Sequence, residues 1–158
     1  MTDHDDPIRY SPGYLGCVKD DAARAYLLES GIPRVADFIE DGPAGVEPSG
    51  AHPGFLLLGY VGDPADGFAV ECETGAVYCL AGSRRFFANS SPEQFVRSFR
   101  AYLDVTYGEL AGDDEQVEQR LRSELRAIDP ATVEDENSFW NDTLGDVSMG
   151  VYGDDDSE

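Results

Sequence analysis

The chain has 158 residues and a formal net charge of -21, from 32 acidic against 11 basic residues. Its length fits one domain, and 41% hydrophobic with 11% aromatic residues is enough to bury a core. The acidic excess lies far beyond the roughly 2 to 8 charges that keep a small domain soluble, and it repels nucleic acid and anionic membranes while attracting basic partners. Plain solubility, or adaptation to salt, is the alternative use of that charge.

Residues 1–19, rich in Asp, Pro and Gly, read as a tail and loop with no apolar stretch of signal-peptide length, and no window approaches the roughly 18 apolar residues of a membrane span. A cytoplasmic protein is expected. Cys17, Cys72 and Cys79 are odd in number and lie in or beside apolar stretches, which predicts reduced, buried thiols instead of a disulfide framework. The sequons at Asn89 and Asn141 are chance matches if the chain has no secretory route.

A first helix is expected from an Asp20 or Asp21 cap to Ser30, because Ala23, Tyr26 and Leu27 recur at helical spacing and Gly31-Ile32-Pro33 stops it. A short strand around Val35 to Ile39 follows, then a loop from Glu40 to Gly54, dense in Gly and Pro. Phe55 to Val61, Phe68 to Cys72, Ala76 to Leu80 and Arg84 to Ala88 have strand length and are separated by turn-forming clusters, the pattern of an antiparallel meander. With Thr74-Gly75 as a two-residue turn, Cys72 faces Val77 and Val70 faces Cys79. Phe68, Val70, Cys72, Val77 and Cys79 then share one face, while Glu71, Glu73 and Tyr78 point the other way. The turn through Ala81-Gly82-Ser83 leaves the faces of the fourth strand open.

Ser91-Pro92-Glu93-Gln94 starts a helix: Ser91 caps it, Pro92 suits its first position, and Gln94 completes a capping box. Phe95, Phe99, Tyr102, Leu103 and Tyr107 form its apolar stripe, with Arg97 and Arg100 turned outward. Asp113 caps another helix carrying Val117, Leu121, Leu125 and Ile128, which Asp129-Pro130 ends. A last amphipathic segment, Asn137 to Met149, carries Phe139, Trp140, Leu144 and Val147 and closes at Gly150. The expected organisation is thus one α+β domain over residues 20–152, with a central antiparallel sheet flanked by helices, followed by a disordered acidic tail over 153–158.

The block from Gly67 to Phe95, with Glu73-Thr74-Gly75-Ala76-Val77-Tyr78 at its turn and Phe87-Ala88-Asn89-Ser90-Ser91 before the helix, resembles the fourth subfamily of the SUKH immunity proteins. Arg126-Ala127-Ile128-Asp129-Pro130-Ala131 and Ser138-Phe139-Trp140 are similar to that group's closing helices. The resemblance covers about the last two thirds of the chain, and the order and spacing of the pieces carry it. It implies a protein that binds and neutralises a cognate toxin, such as a nuclease or a deaminase, delivered by a neighbouring bacterium. It implies no catalytic residues and no cofactor.

The physical case agrees. A nuclease cleft is positive because it holds phosphates, so an acidic protein can fill it with carboxylates, and opposite charge lifts association from roughly a million toward a billion per molar per second at low salt. The expected contacts are Glu71, Glu73 and Tyr78 with Asp63 and Asp66 from the preceding turn; plain solvation is the competing account of those carboxylates. Like-charge repulsion favours a monomer.

Catalytic readings are poorer. His4 and His52 are the only imidazoles, and neither has a nucleophile at a known spacing. A site pairing Cys72 or Cys79 with His52 competes with buried strand thiols, and zinc fails because six residues separate the two cysteines. Asp63 and Asp66 suit a hydrolase only as one chance pair among 32 acidic residues. Gly59-Tyr60-Val61-Gly62 lacks the Lys and helix start of a phosphate loop, and the aspartates at 154–156 lack the spaced ligands of a calcium loop. A general interaction or scaffold module on the same fold is the second reading, and an uncatalogued hydrolase the third.

Overall fold

The structure is a computed structural model that describes residues 6–35, 38–44, 46 and 50–149. The acidic segment 153–158, the chain start before Asp6 and Gly150 lie outside the described residues.

Helix α1 (Asp21–Glu29) precedes a sheet of four strands, β1 (Phe55–Gly59), β2 (Phe68–Glu71), β3 (Val77–Ala81) and β4 (Arg84–Asn89). Four helices close the chain: α2 (Pro92–Thr106), α3 (Asp114–Ile128), α4 (Pro130–Glu134) and α5 (Phe139–Ser148). The strands pair antiparallel in sequence order, so the sheet is a meander within one α+β arrangement.

Local chemistry sets the helix starts. Asp20, Ser91, Asp113 and Ser138 each hold an extended or non-helical conformation and accept a hydrogen bond from the amide three residues on. Such a cap contributes about 1 kcal/mol. Gln94 departs from the expected box: its Oε1 accepts from the Ser91 hydroxyl at 2.9 Å, and its Nε2 donates to the Ile128 carbonyl at 3.1 Å, tying α2 to the end of α3.

The core lies between the sheet and α2, α3 and α5. Phe68 meets Phe95 at 5.0 Å and Phe139 at 5.1 Å between ring centroids, and Phe99 meets Trp140 at 4.9 Å. Burying each such ring contributes about 1.5–3 kcal/mol. On α2 the buried row is Phe95, Phe99, Tyr102 and Thr106; Leu103 and Tyr107, expected on that stripe, are exposed. The spacing of Tyr102 and Thr106 follows the helix, whereas Leu103 falls one position past the buried row. Arg97 and Arg100 do face outward.

Three other expectations change. Among the described residues Val35 and Ile39 form an isolated antiparallel bridge, each amide donating to the other's carbonyl, and belong to no strand. Asp129-Pro130 ends α3 and also begins α4, Pro being suited to a first helical position. In the β2–β3 hairpin, Val70 faces Val77 and Phe68 faces Cys79, a shift of two residues from a Thr74-Gly75 turn. Cys72 has left the ladder: its amide donates to Gly54, its carbonyl accepts from Lys19, and its sulfur is bonded to Cys17. Residues 72–76 therefore form the connection, with Gly75 at φ 83°, where an added Cβ would sit 2.9 Å from Ala23. An even shift preserves sidedness, so Phe68, Val70 and Val77 still face the core.

The Cys17–Cys72 disulfide corrects the expectation of reduced thiols. The two residues are 55 apart in sequence, and spacing carried no sign that residues 8–19 fold back onto the hairpin. They do: Ile8, Tyr10, Leu15 and Val18 are buried, and Ile8 bridges Ile32. Cys79 is a free, half-buried thiol.

Candidate partner-binding face

Direct cross-strand pairs share a side of the sheet. Phe55 opposite Glu71, Leu57 opposite Ala69, Ala69 opposite Tyr78 and Tyr78 opposite Phe87 therefore define the face away from the aromatic core. Phe55 meets Tyr78 edge-on at 5.3 Å and Tyr78 meets Phe87 at 5.7 Å, so three half-buried rings cross the sheet as a ladder. Arg85 lies over Phe55 at 4.5 Å from the ring centroid. Its guanidinium is also 3.2 Å from His52 Nδ1, while His52 Nε2 is 2.7 Å from the Gly82 carbonyl oxygen.

Of the five candidate residues, the structure brings Glu71 and Tyr78 together on this face. Glu71 Oε1 accepts from the Thr74 hydroxyl at 2.7 Å. Burial pushes the Tyr78 hydroxyl above its ordinary pKa, Glu71 adds to the rise, and Arg85 opposes it. Glu73 stands on the hairpin connection, where it accepts from Lys19 at 2.7 Å. Both partners are more than two-thirds exposed, so that pair contributes little to stability. Asp63 and Asp66 lie at the opposite end of β2, where Asp63 caps the short 3-10 turn Pro64–Asp66 by accepting from Ala65 at 2.9 Å. The candidate carboxylates thus flank the ring ladder from two ends and form no single cluster.

Arg85 and Phe87 escaped the sequence reading because the β3–β4 turn was open, and Phe55 because the register of β1 on β2 was not assigned. The signal was Gly82-Ser83: as a two-residue loop, with Gly82 at φ 64° and Ala81 opposite Arg84, it places Tyr78 opposite Phe87.

An apolar cavity of about 260 Å³ lies beside the ladder, lined by Tyr14, His52, Phe55, Leu57 and Leu80 among others. Its polar groups are committed, since the Tyr14 hydroxyl donates to the Leu57 carbonyl at 2.6 Å and both His52 nitrogens have partners. His52 faces this cavity, whereas Cys79 lies on the core side of β3, and Cys72 is in the disulfide, so neither forms the imagined Cys–His pair. Among the described residues no group of three His, Cys, Asp or Glu side chains is placed to hold a metal, and no helix is long and apolar enough to cross a membrane.

The segments that carry the family resemblance meet elsewhere, in the interior. Asn89, wholly buried, donates to Ser98 Oγ at 3.0 Å and to Asp129 Oδ2 at 3.1 Å, and its Oδ1 accepts from the Trp140 indole at 2.7 Å. Asp129 also accepts from the Ser90 amide and hydroxyl. Thr132 donates to the Ala88 carbonyl and Ser138 to the Thr132 carbonyl, each at 2.6 Å. A family model described as SUKH-4 immunity protein matches residues 16–146, a span that contains this whole network and the outer face. The chain belongs to the SUKH-4 immunity protein family. No curated protein and no solved structure matches it. In this SUKH-4 protein the Asn89-Ser90-Ser91, Asp129-Pro130 and Ser138-Phe139-Trp140 segments lock β4, α2, α4 and α5 together. Their hydrogen bonds are buried and hold the fold together. The sequon at Asn89 is closed to a glycan by the same burial.

Proposed function

We propose that this SUKH-4 protein binds a cognate bacterial toxin domain one to one and neutralises it by occupying its basic surface, with no chemistry of its own. The family match over residues 16–146 carries the immunity reading. The charge of -21 supports a basic partner, such as a nuclease or nucleic-acid deaminase of a polymorphic toxin system, because carboxylates can stand where phosphates would lie. The protein would act as a monomer in the cytoplasm, where such a toxin does its damage, and would contact neither nucleic acid nor membrane.

The contact we infer is the outer face of the sheet. Tyr78, with Phe55 and Phe87, supplies rigid aromatic area that is already half-buried and loses little freedom on docking. Glu71 and Glu73 at one end, and Asp63 and Asp66 at the other, supply the charged rim. The test is to look directly upstream of this chain's gene for a large secreted toxin, purify its carboxy-terminal domain and titrate it calorimetrically. A one-to-one complex is expected; no heat of binding and separate elution on gel filtration would reject the reading.

A further inference from the structure

The surface is not uniformly negative. Between the carboxyl half of α1, the Gly31–Arg34 segment and the outer side of α2 runs a groove of about 770 Å³, into which Arg34, Arg97 and Arg100 converge beside Tyr26 and Ser30. Among the described residues Glu93 is the one carboxylate on its lining.

These cations differ from most of the others. Lys19, Arg24, Arg120 and Arg122 each hold a carboxylate within ion-pair distance. Arg84 and Arg85 lie over phenylalanine rings. Arg34 is held by backbone, its Nε donating to the Asp6 carbonyl at 3.0 Å and an Nη to the Glu40 carbonyl. Among the described residues Arg97 and Arg100 form neither an ion pair nor a hydrogen bond. That is notable because Glu93 stands four residues before Arg97, the spacing and order that favour pairing on a helix. In a chain with 32 acidic residues, two guanidiniums that hold no carboxylate among the described residues, beside a third held in place, make a locally cationic patch.

We infer that this groove is a second docking site, which takes an acidic, carboxylate-bearing segment of a partner protein. Guanidinium groups match carboxylates in a bidentate fork, and among the described lining residues a carboxylate bound here meets three positive neighbours against one negative. The proposal rests on the reading of the chain as a protein that works by docking. Net charge of one sign speeds encounter but does not fix orientation; one patch of the opposite sign does, because a partner turned the wrong way sets its acidic segment against the negative remainder.

The test needs no toxin, so its failure and the failure of the immunity reading are separable. The ¹⁵N-labelled full chain is titrated with an acetylated, amidated penta-glutamate peptide, and with inorganic phosphate at equal ionic strength, while the arginine Nε–H signals and the Tyr26 amide are followed. The rest of the protein repels such anions, so general charge attraction cannot imitate binding. Saturable shifts with the peptide confined to Arg34, Arg97, Arg100 and Tyr26 are expected. Peptide affinity should fall about tenfold in the double variant Arg97→Gln/Arg100→Gln. Arg120→Gln, which removes a charge already paired with Glu124, should leave it unchanged. Both arginines of the double variant are exposed, so the fold should persist, with unaltered Trp140 fluorescence as the check. No saturable shift, an equal loss in Arg120→Gln, or shifts with phosphate and none with the peptide would each overturn the proposal.

Discussion

Trp140 donates its indole N–H to Asn89 Oδ1 across 2.7 Å, with both side chains wholly buried. The bond joins the end of β4 to the first turn of α5, and Asn89 extends it to Ser98 on α2 and Asp129 between α3 and α4. A buried amide with all its partners in place specifies one arrangement of these elements, because any other leaves polar groups dry and unpaired.

Asn89→Ala should therefore destabilise the fold by about 2–4 kcal/mol, since the Trp140 N–H and the Asp129 carboxylate each lose a buried partner. Urea unfolding followed by the fluorescence of Trp140, the single tryptophan, measures it directly. A loss under ~1 kcal/mol would mean that the network is not a structural lock.

The Cys17–Cys72 bond predicts a thiol count. The untreated chain, unfolded in denaturant, should react with one equivalent of a thiol reagent, at Cys79, and the reduced chain with three. Reduction should lower stability by up to about 4 kcal/mol for a loop of this length, without unfolding the aromatic core. Three reactive thiols in untreated protein would remove the bridge from the account.

Burial pushes the Cys79 thiol from 9.0 up to about 12, with Asp66 and Asp142 adding to it, and burial likewise pushes the Tyr14 hydroxyl from 10.0 to about 12. The unfolded chain gives up these protons near their ordinary values. Between pH 9 and about 12 the folded chain thus binds more protons than the unfolded one, and stability must fall as pH rises. Urea midpoints should decline above pH 9, and the Cys79→Ala variant should decline less steeply. Parallel curves for the two proteins would contradict the buried thiol.

On the outer face, Tyr78→Ala should weaken toxin binding about thirtyfold, chiefly through faster dissociation, as expected for a central aromatic anchor. Glu71→Lys should act more on association, and raising salt should shrink its effect. Surface plasmon resonance at two ionic strengths separates the two. Unchanged affinity in both variants would move the contact off this face.

The sequence exposed much of what depends on short-range chemistry. The caps at Asp20, Ser91 and Asp113 and the meander could be read from a few neighbouring residues, and so could the sidedness of Phe68, Val70 and Val77. It hid what depends on distant partners. Nothing near Cys72 announces that it leaves the ladder for Cys17, which is why the hairpin register came out two residues away. Asn89 and Asp129 read as a helix lead-in and a helix stop, and only packing turns them into one network with Trp140. For the candidate face, Glu71 and Tyr78 were legible from strand alternation. Their aromatic neighbours Phe55 and Phe87 needed the register on either side, and the separation of Asp63 and Asp66 from Glu73 needed the length of β2.

As proposed, this SUKH-4 protein protects a cell by docking onto a toxin. Co-expression with the carboxy-terminal domain of that toxin is the deciding experiment. Survival should be restored by the intact chain and reduced when Tyr78 and Glu71 are replaced together, while both proteins stay folded and abundant. Equal killing with and without the intact chain would contradict the account.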